Sequence, residues 1–121
     1  MNEGPLKLKS YELAKLIVET YKYLVVEKKE FIMSKQLLRA GTNPGAMVRE
    51  AHGAESRADF IHKLKIAQKE TNETMYWLEL LNDTGYLEKN RFEKVYQISN
   101  EVIKLLVSSI NTLKKLSLIH I

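Results

Sequence analysis

Residues 36–86 read QLLRAGTNPGAMVREAHGAESRADFIHKLKIAQKETNETMYWLELLNDTGY. Two helical patterns lie in this stretch, joined at Gly53-Ala54-Glu55. In the second, Phe60, Leu64, Ala67, Thr71, Thr74, Leu78 and Leu81 recur in alternating steps of four and three. That seven-residue repeat is the seam of a left-handed helix bundle. Ser56-Arg57-Ala58-Asp59 reads as a capping box, an acid three residues after a hydroxyl cap. Gly85 is placed for the left-handed residue that closes a helix. The repeat and its two punctuation marks predict a helix from about Arg57 to Thr84.

The first of the two patterns is predicted to begin near Glu30, with Phe31, Leu37, Leu38, Ala40, Met47, Val48 and Ala51 as its apolar positions. Gly41-Thr42-Asn43-Pro44-Gly45 interrupts it. An interior proline loses a hydrogen bond and clashes with the preceding turn, at about 3 kcal/mol. The helix therefore either ends and restarts here or continues through a kink. A kinked, continuous helix is expected, because the apolar pattern resumes without a long polar gap. Gly41, Gly45 and Ala46 would let another helix approach closely.

Outside this stretch, Leu6, Leu13, Ile17, Tyr21 and Leu24 form the stripe of a first helix, predicted over about Lys7–Glu27. The run Glu27-Lys28-Lys29-Glu30 marks a turn or a solvated helix end. A last helix is predicted from about Glu88 to Leu116, with Phe92, Val95, Tyr96, Ser99, Val102, Ile103, Leu106, Ile110 and Leu113 as its stripe. Ile98, Leu105 and Val107 widen that stripe beyond one bundle face and suggest contacts between copies. The tail, residues 117–121, is apolar as well. The expected architecture is all-α, an up-and-down antiparallel four-helix bundle forming one domain over 1–121, with its core at about 6–116.

The chain has 121 residues and no cysteine, which excludes disulfides, thiolate zinc sites and thiol nucleophiles. No apolar run approaches the ~20 residues that span a bilayer. MNEGPLKLKSYELAK lacks the apolar core of a secretion signal. The expectation is a cytoplasmic protein with no membrane contact. The net charge of +4 is zoned: residues 1–34, 35–69, 70–88 and 89–121 carry +1, +4, −5 and +4. Such zoning either steers an anionic partner or balances neighbouring helices internally.

With the helices laid out, a family resemblance emerges. Leu38-Arg39-Ala40-Gly41-Thr42, Gly45-Ala46, Glu50-Ala51, Ser56, Asp59-Phe60, Tyr76-Trp77-Leu78-Glu79-Leu80-Leu81 and Gly85-Tyr86 resemble the bacterial four-helix-bundle proteins named after intervening sequences of 23S rRNA genes, also called S23 ribosomal protein-like. The resemblance covers about residues 6–116. It implies a ring-like homopentamer. The same resemblance extends to the accessory protein of diversity-generating retroelements, a pentameric barrel that binds a reverse transcriptase and contacts nucleic acid through basic surfaces. Most members have no established biochemical activity. Two departures stand out. Gly45-Ala46-Met47-Val48 replaces the usual Gly-Ala-Asn before an apolar residue, and Pro44 stands where an aliphatic residue is common.

An antiparallel hairpin about Gly53–Ser56 sets Arg39 opposite Glu70 and Gln36 opposite Glu73. Glu70 and Glu73 share a helix face, and acids late in a helix oppose its dipole. An ion-pair network of Arg39, Glu70 and Glu73 is therefore expected, rather than a catalytic carboxylate pair; no nucleophile or metal site accompanies them. His52, His62 and His120 include no Glu-x-x-His, so neither a di-iron site nor any other metal is expected. No glycine loop ends in Gly-Lys-Ser/Thr. No enzyme, cofactor or metal is predicted.

The candidates for nucleic-acid contact are Arg49, Arg57, Lys63 and Lys65 around the second turn, with Lys89 and Arg91 at the start of the last helix. They fall at opposite ends of the third helix and are expected to form separate patches. Along the chain, basic and aromatic residues do not interleave as in single-strand readers. The interface candidates are Tyr76, Trp77, Ile98 and Leu105, large surfaces suited to the core or to a subunit contact. The expected partners are further copies of the chain, most simply in a pentamer, together with structured RNA, DNA or a protein. Two function classes follow: an oligomeric nucleic-acid binder, or a scaffold docking a nucleic-acid enzyme such as a reverse transcriptase.

Overall fold

A computed structural model describes residues 4–119, and the side chains of 4–116. It has four helices: α1 Gly4–Val26, α2 Met33–Ala51, α3 Arg57–Asp83 and α4 Lys89–Ile119. Each packs on its two neighbours in the order α1, α2, α3, α4 and back to α1, and among the described residues the diagonal pairs do not meet. The bundle is all-α and antiparallel, with short turns at 27–32, 52–56 and 84–88. Residues 117–119 continue the backbone of α4, three beyond the predicted end, while His120 and Ile121 lie outside the described residues.

The core takes apolar side chains from all four helices, including Leu13, Ile17 and Leu24 of α1, Leu37 and Val48 of α2, Leu64, Leu78 and Leu81 of α3, and Val102 and Leu106 of α4. Burying each such side chain stabilises by about 1.5–3 kcal/mol. In α1 the buried stripe runs Ser10, Leu13, Ile17, Thr20, Leu24, so Thr20 takes the place predicted for Tyr21. Four of the buried hydroxyls are satisfied by back-bonding within their own helices. Thr20, Thr71, Thr74 and Ser99 each donate to the carbonyl four residues back, at 2.8–2.9 Å. Back-bonding of this kind lets a hydroxyl sit in an apolar seam without a partner on another helix.

Both ends of α3 follow the sequence signals. Ser56 Oγ accepts from the Asp59 amide at 3.0 Å. The reciprocal half of the box shifts by one residue, with the Glu55 amide donating to Asp59 Oδ2 at 3.4 Å. At the far end Gly85 takes φ +87°. The Gly85 and Tyr86 amides donate back to the Asn82 and Leu81 carbonyls, closing a Schellman motif.

The start of α2 differs from expectation. The helix begins at Met33 rather than near Glu30, and Glu30 is buried instead of solvated. Its carboxylate turns back over the helix end and accepts from the amides of Ile32 (3.2 Å), Met33 (3.0 Å) and Ser34 (2.7 Å). Ser34 Oγ in turn donates to the Glu30 carbonyl at 2.8 Å. A side chain outside the helix thus supplies the cap that Ile32, in the cap position, cannot. Lys29, at φ +55°, turns the chain just before it.

The helix α2 runs unbroken through Pro44, which is buried beside Ala40, Gly41 and Val48. The glycines around it mark where α1 comes close. A Cβ on Gly41 would lie 2.5–2.9 Å from three carbons of Ile17, and one on Gly45 would lie 3.2 Å from the Ser10 carbonyl oxygen.

Two predictions follow from these contacts. Burial pushes the Glu30 carboxyl up, but its amide and hydroxyl donors outweigh that and hold it below the usual 4.5. Its stabilisation is therefore present above that value and lost as pH falls through the lowered folded-state value. Glu30→Ala should cost about 1–3 kcal/mol by urea denaturation at neutral pH, and the difference from wild type should vanish in acid. Gly41→Ala should destabilise by a net ~1–2 kcal/mol, since overpacking costs more than alanine's helical preference returns. A double-mutant cycle with Ile17→Val should recover part of that loss.

Candidate nucleic-acid interface

The antiparallel path gathers the basic candidates at the two ends of the bundle. Arg49 and Arg57 lie at one end, near the exit of α2 and the entry of α3, and both are exposed. Lys63 and Lys65 stand one to two turns further along α3. Lys89 and Arg91 open α4 at the opposite end. The two groups are separate surfaces.

Their chemical states differ. Lys63 Nζ is 3.1 Å from Glu50 Oε1, so its charge is partly neutralised. Arg57 enters no ion pair among the described residues. Lys65 stands beside Lys114 of α4, and its ammonium group lowers the Lys114 pKa through a close polar contact and direct repulsion. No acid within reach relieves that pair among the described residues. Lys114 was not a candidate from sequence, because only the α3–α4 packing brings it to Lys65.

Folding also creates the aromatic–basic pairing absent along the chain. The Arg49 guanidinium lies 5.2 Å from the centroid of the Tyr11 ring, and Lys15 Nζ lies 5.1 Å from the same ring. Arg91 lies 3.8 Å from the Tyr23 ring centroid. Each arginine reaches α1 from a different neighbouring helix, so linear sequence carries no sign of either contact. A cation on an aromatic face is worth about 0.5–1 kcal/mol when exposed. It also holds a flat guanidinium in a fixed place, where it can stack on a base or fork onto a phosphate.

Beside Arg91 an open groove of about 310 Å³ runs between α1 and α4, walled by Leu16, Glu19, Thr20, Asn90, Arg91 and Lys94. It mixes acids with bases and lacks the convergent polar groups of a small-molecule site. At the other end a pocket of about 270 Å³ is lined by Pro5, Leu6, Val48, Phe60, Leu64 and Leu105. His52 stacks on Phe60 there, with ring centroids 5.9 Å apart. Among the described residues no three His, Cys, Asp or Glu side chains are grouped to hold a metal.

Arg39 joins both carboxylates that sequence set near it. Nη1 lies 3.2 Å from Glu70 Oε1 and Nη2 lies 2.5 Å from Glu73 Oε2. Glu73 is thus held by Arg39 rather than Gln36. Trp77 Nε1 donates to the same Glu73 oxygen at 3.1 Å, and its ring meets Tyr76 edge-on at 5.1 Å. Tyr96 of α4 donates to Glu79 Oε2 at 2.6 Å, which raises the Tyr96 pKa. Lys9 joins α1 to Glu101 of α4 at 3.0 Å, and that hydrogen bond raises its pKa.

Of the four interface candidates, Trp77 and Ile98 are half-buried against the bundle's own core, Leu105 is half-buried at the pocket beside Val48 and Leu64, and Tyr76 is 56% exposed. The broader apolar surface lies on α1, whose outer stripe carries Leu8, Tyr11, Val18 and Val26, followed by Phe31 and Ile32 in the turn.

The sequence and the fold agree with a known group. A family model described as 23S rRNA-intervening sequence protein matches residues 6–108. The chain belongs to this family. Among solved structures it is similar to a protein of unknown function from the S23 ribosomal protein family of Bacteroides thetaiotaomicron VPI-5482, at 57% identity and a TM-score of 0.86, covering 87% of this chain and 97% of that one. Among curated proteins nothing matches. No helix among the described residues is long and apolar enough to cross a membrane.

The different states of the basic groups separate structural from surface roles. Arg39→Met should destabilise the fold by about 1–2 kcal/mol, because it strands Glu70 and Glu73 at a helix contact. Arg57→Met should stay within about 0.5 kcal/mol of wild type. Thermal and urea unfolding of the two variants side by side checks this.

Proposed function

We propose that this 23S rRNA-intervening sequence protein is a non-enzymatic binding module that engages structured RNA or DNA and presents its basic surfaces in several copies. One observation carries the reading: arginines from α2 and α4 are laid on tyrosines of α1 at both ends of the bundle, Arg49 on Tyr11 and Arg91 on Tyr23. Arg57, Lys63 and Lys65 extend the first surface, and Lys89 extends the second. Cations fixed on aromatic faces suit stacking and phosphate contact together. The exposed apolar residues of α1 support assembly, since Leu8, Val18 and Val26 along one helix face are best covered by another copy. A homopentamer is the proposed form, as family resemblance implies. Each basic surface would then be repeated around the ring, raising avidity without new contacts.

A scaffold docking a nucleic-acid enzyme such as a reverse transcriptase is the second reading. Phe31 and Ile32 favour it: they are 50% and 77% exposed on a turn made rigid by Glu30.

Retention on an RNA hairpin and on a DNA duplex should be strong at about 50 mM salt and fall at least tenfold by about 200 mM. Arg49→Ala and Arg57→Ala should each weaken binding several-fold and reduce the salt slope by about one. Retention no better than for a neutral control protein at low salt refutes the nucleic-acid reading. Pull-down of a partner that survives nuclease treatment supports the scaffold instead. A well-behaved particle of 14.0 kDa in light scattering removes the assembly from both.

A further inference from the structure

The outermost stripe of α3 is His62, Lys65, Lys69, Asn72, Tyr76, Glu79 and Asp83, all exposed and spaced by alternating threes and fours. Its first half is cationic and its second half is aromatic and acidic. This order opposes the helix dipole, which favours acids near the N-terminus and bases near the C-terminus. Within the bundle Glu79 accepts from the Tyr96 hydroxyl at 2.6 Å, but no cation answers the stripe's acids among the described residues. Lys65, Lys69 and Asp83 make no ion pair among the described residues, and the neighbour of Lys65 is another cation, Lys114. Arg39 answers Glu70 and Glu73 on the α2 side of the helix and leaves the outer stripe untouched.

The stripe is, however, complementary to itself. Turned end for end about Asn72, it sets His62 against Asp83, Lys65 against Glu79, and Lys69 against Tyr76, while Asn72 meets its own copy. A two-fold contact needs this property, because each residue must suit the partner position that it meets in both directions. A seven-residue spacing keeps the stripe facing a partner helix along its length at a shallow crossing angle. Two Lys65–Glu79 pairs would supply the counter-charge that Lys65 and Lys114 lack, and two lysines would lie over exposed tyrosine rings.

We infer that a second copy of this chain docks on α3 in antiparallel fashion, about a two-fold axis at Asn72. The strip is about 30 Å long and one helix wide. That is less than the ~800 Å² per partner of a stable complex, so the pairing is weak for a single contact. The α3 contact is a separate surface from the apolar stripe of α1, which lies at the diagonal corner of the bundle. It is independent of the nucleic-acid reading and forms without nucleic acid.

Charge reversal tests it by sedimentation of the nucleic-acid-free protein over a range of concentrations reaching several hundred micromolar. Wild type should show a concentration-dependent doubling of mass that weakens with salt. Lys65→Glu and Glu79→Lys should each raise the dissociation constant of this step about tenfold or more, since each change acts twice and replaces attraction with repulsion. The double variant Lys65→Glu/Glu79→Lys should restore the step. An equimolar mixture of the two single variants should also restore it, because that heteropair regains both contacts. Circular dichroism of the single variants should match wild type. A wild-type mass that never doubles, single variants that pair as wild type does, or a double variant without rescue overturns the inference. Glu79→Lys separates it from nucleic-acid binding, since added positive charge abolishes the pairing while leaving RNA retention intact or stronger.

Discussion

The distance between α1 and α2 is set where Gly41 faces Ile17, and the rest of the bundle takes its register from that approach. Any Cβ at Gly41 would lie within 2.9 Å of three Ile17 carbons, so one side or the other must shift. A few residues on, Gly45 lies over the Ser10 carbonyl, and Pro44 is buried between the two glycines. A proline there gives up one helical hydrogen bond. It is nevertheless accommodated within a continuous helix, on the face buried against the rest of the bundle. With α2 held against α1, its other edge presents Arg39 to Glu70 and Glu73 of α3. Helix α2 therefore has a close-packed seam against α1 on one side and a charged clasp to α3 on the other.

The polar residues sort by what they reach. Hydroxyls in the core, at Thr71, Thr74 and Ser99, are tied to carbonyls of their own helices. Each donates to a main-chain carbonyl, and among the described residues none of the three has a base as its hydrogen-bond acceptor. Carboxylates at helix contacts have defined donors: Glu30 holds amides, Glu73 holds Arg39 and Trp77, and Glu79 holds Tyr96. What remains for partners is a set of outward cations, two of them braced on tyrosines, together with an apolar face on α1.

The bundle was legible in sequence because its signals are local. The alternating spacing from Phe60 to Leu81, the hydroxyl at Ser56 and the glycine at Gly85 each act within one helix or turn, and all three act as read. The hairpin's short turn made even a long-range pair accessible, since Arg39 and Glu70 are nearly equidistant from it. The run from Glu27 to Glu30 left a turn and a solvated helix end both open, and the burial of Glu30 was not readable because its environment is not local. In a run of charges it looks solvated, and only the turn at Lys29 folds its carboxylate back over α2. The site was less legible for the same reason. Arg49 meets Tyr11, Arg91 meets Tyr23, and Lys65 meets Lys114 across helix contacts far apart in the chain. The apolar surplus assigned to α4 from its composition is absorbed only in part, Ile98 packing on the core while Val107 stays exposed, and α1, with an ordinary-looking stripe, exposes Leu8, Val18 and Val26 as well.

Lys65 belongs to both surfaces proposed for this chain, and that overlap has a thermodynamic consequence. A polyanion seated on Lys65 and Lys114 and a second copy bringing Glu79 to the same place compete for one cation pair. Each must then lower the affinity of the other by the same factor, because the coupling is reciprocal. Arg49 and Arg57 lie off the outer stripe of α3 and remain open when two copies pair. Nucleic acid held there alone would be compatible with pairing, whereas nucleic acid reaching along α3 would drive the copies apart. If both proposals hold, the charge order of a single helix, reversed against its own dipole, would tie the state of assembly to the extent of the bound polyanion.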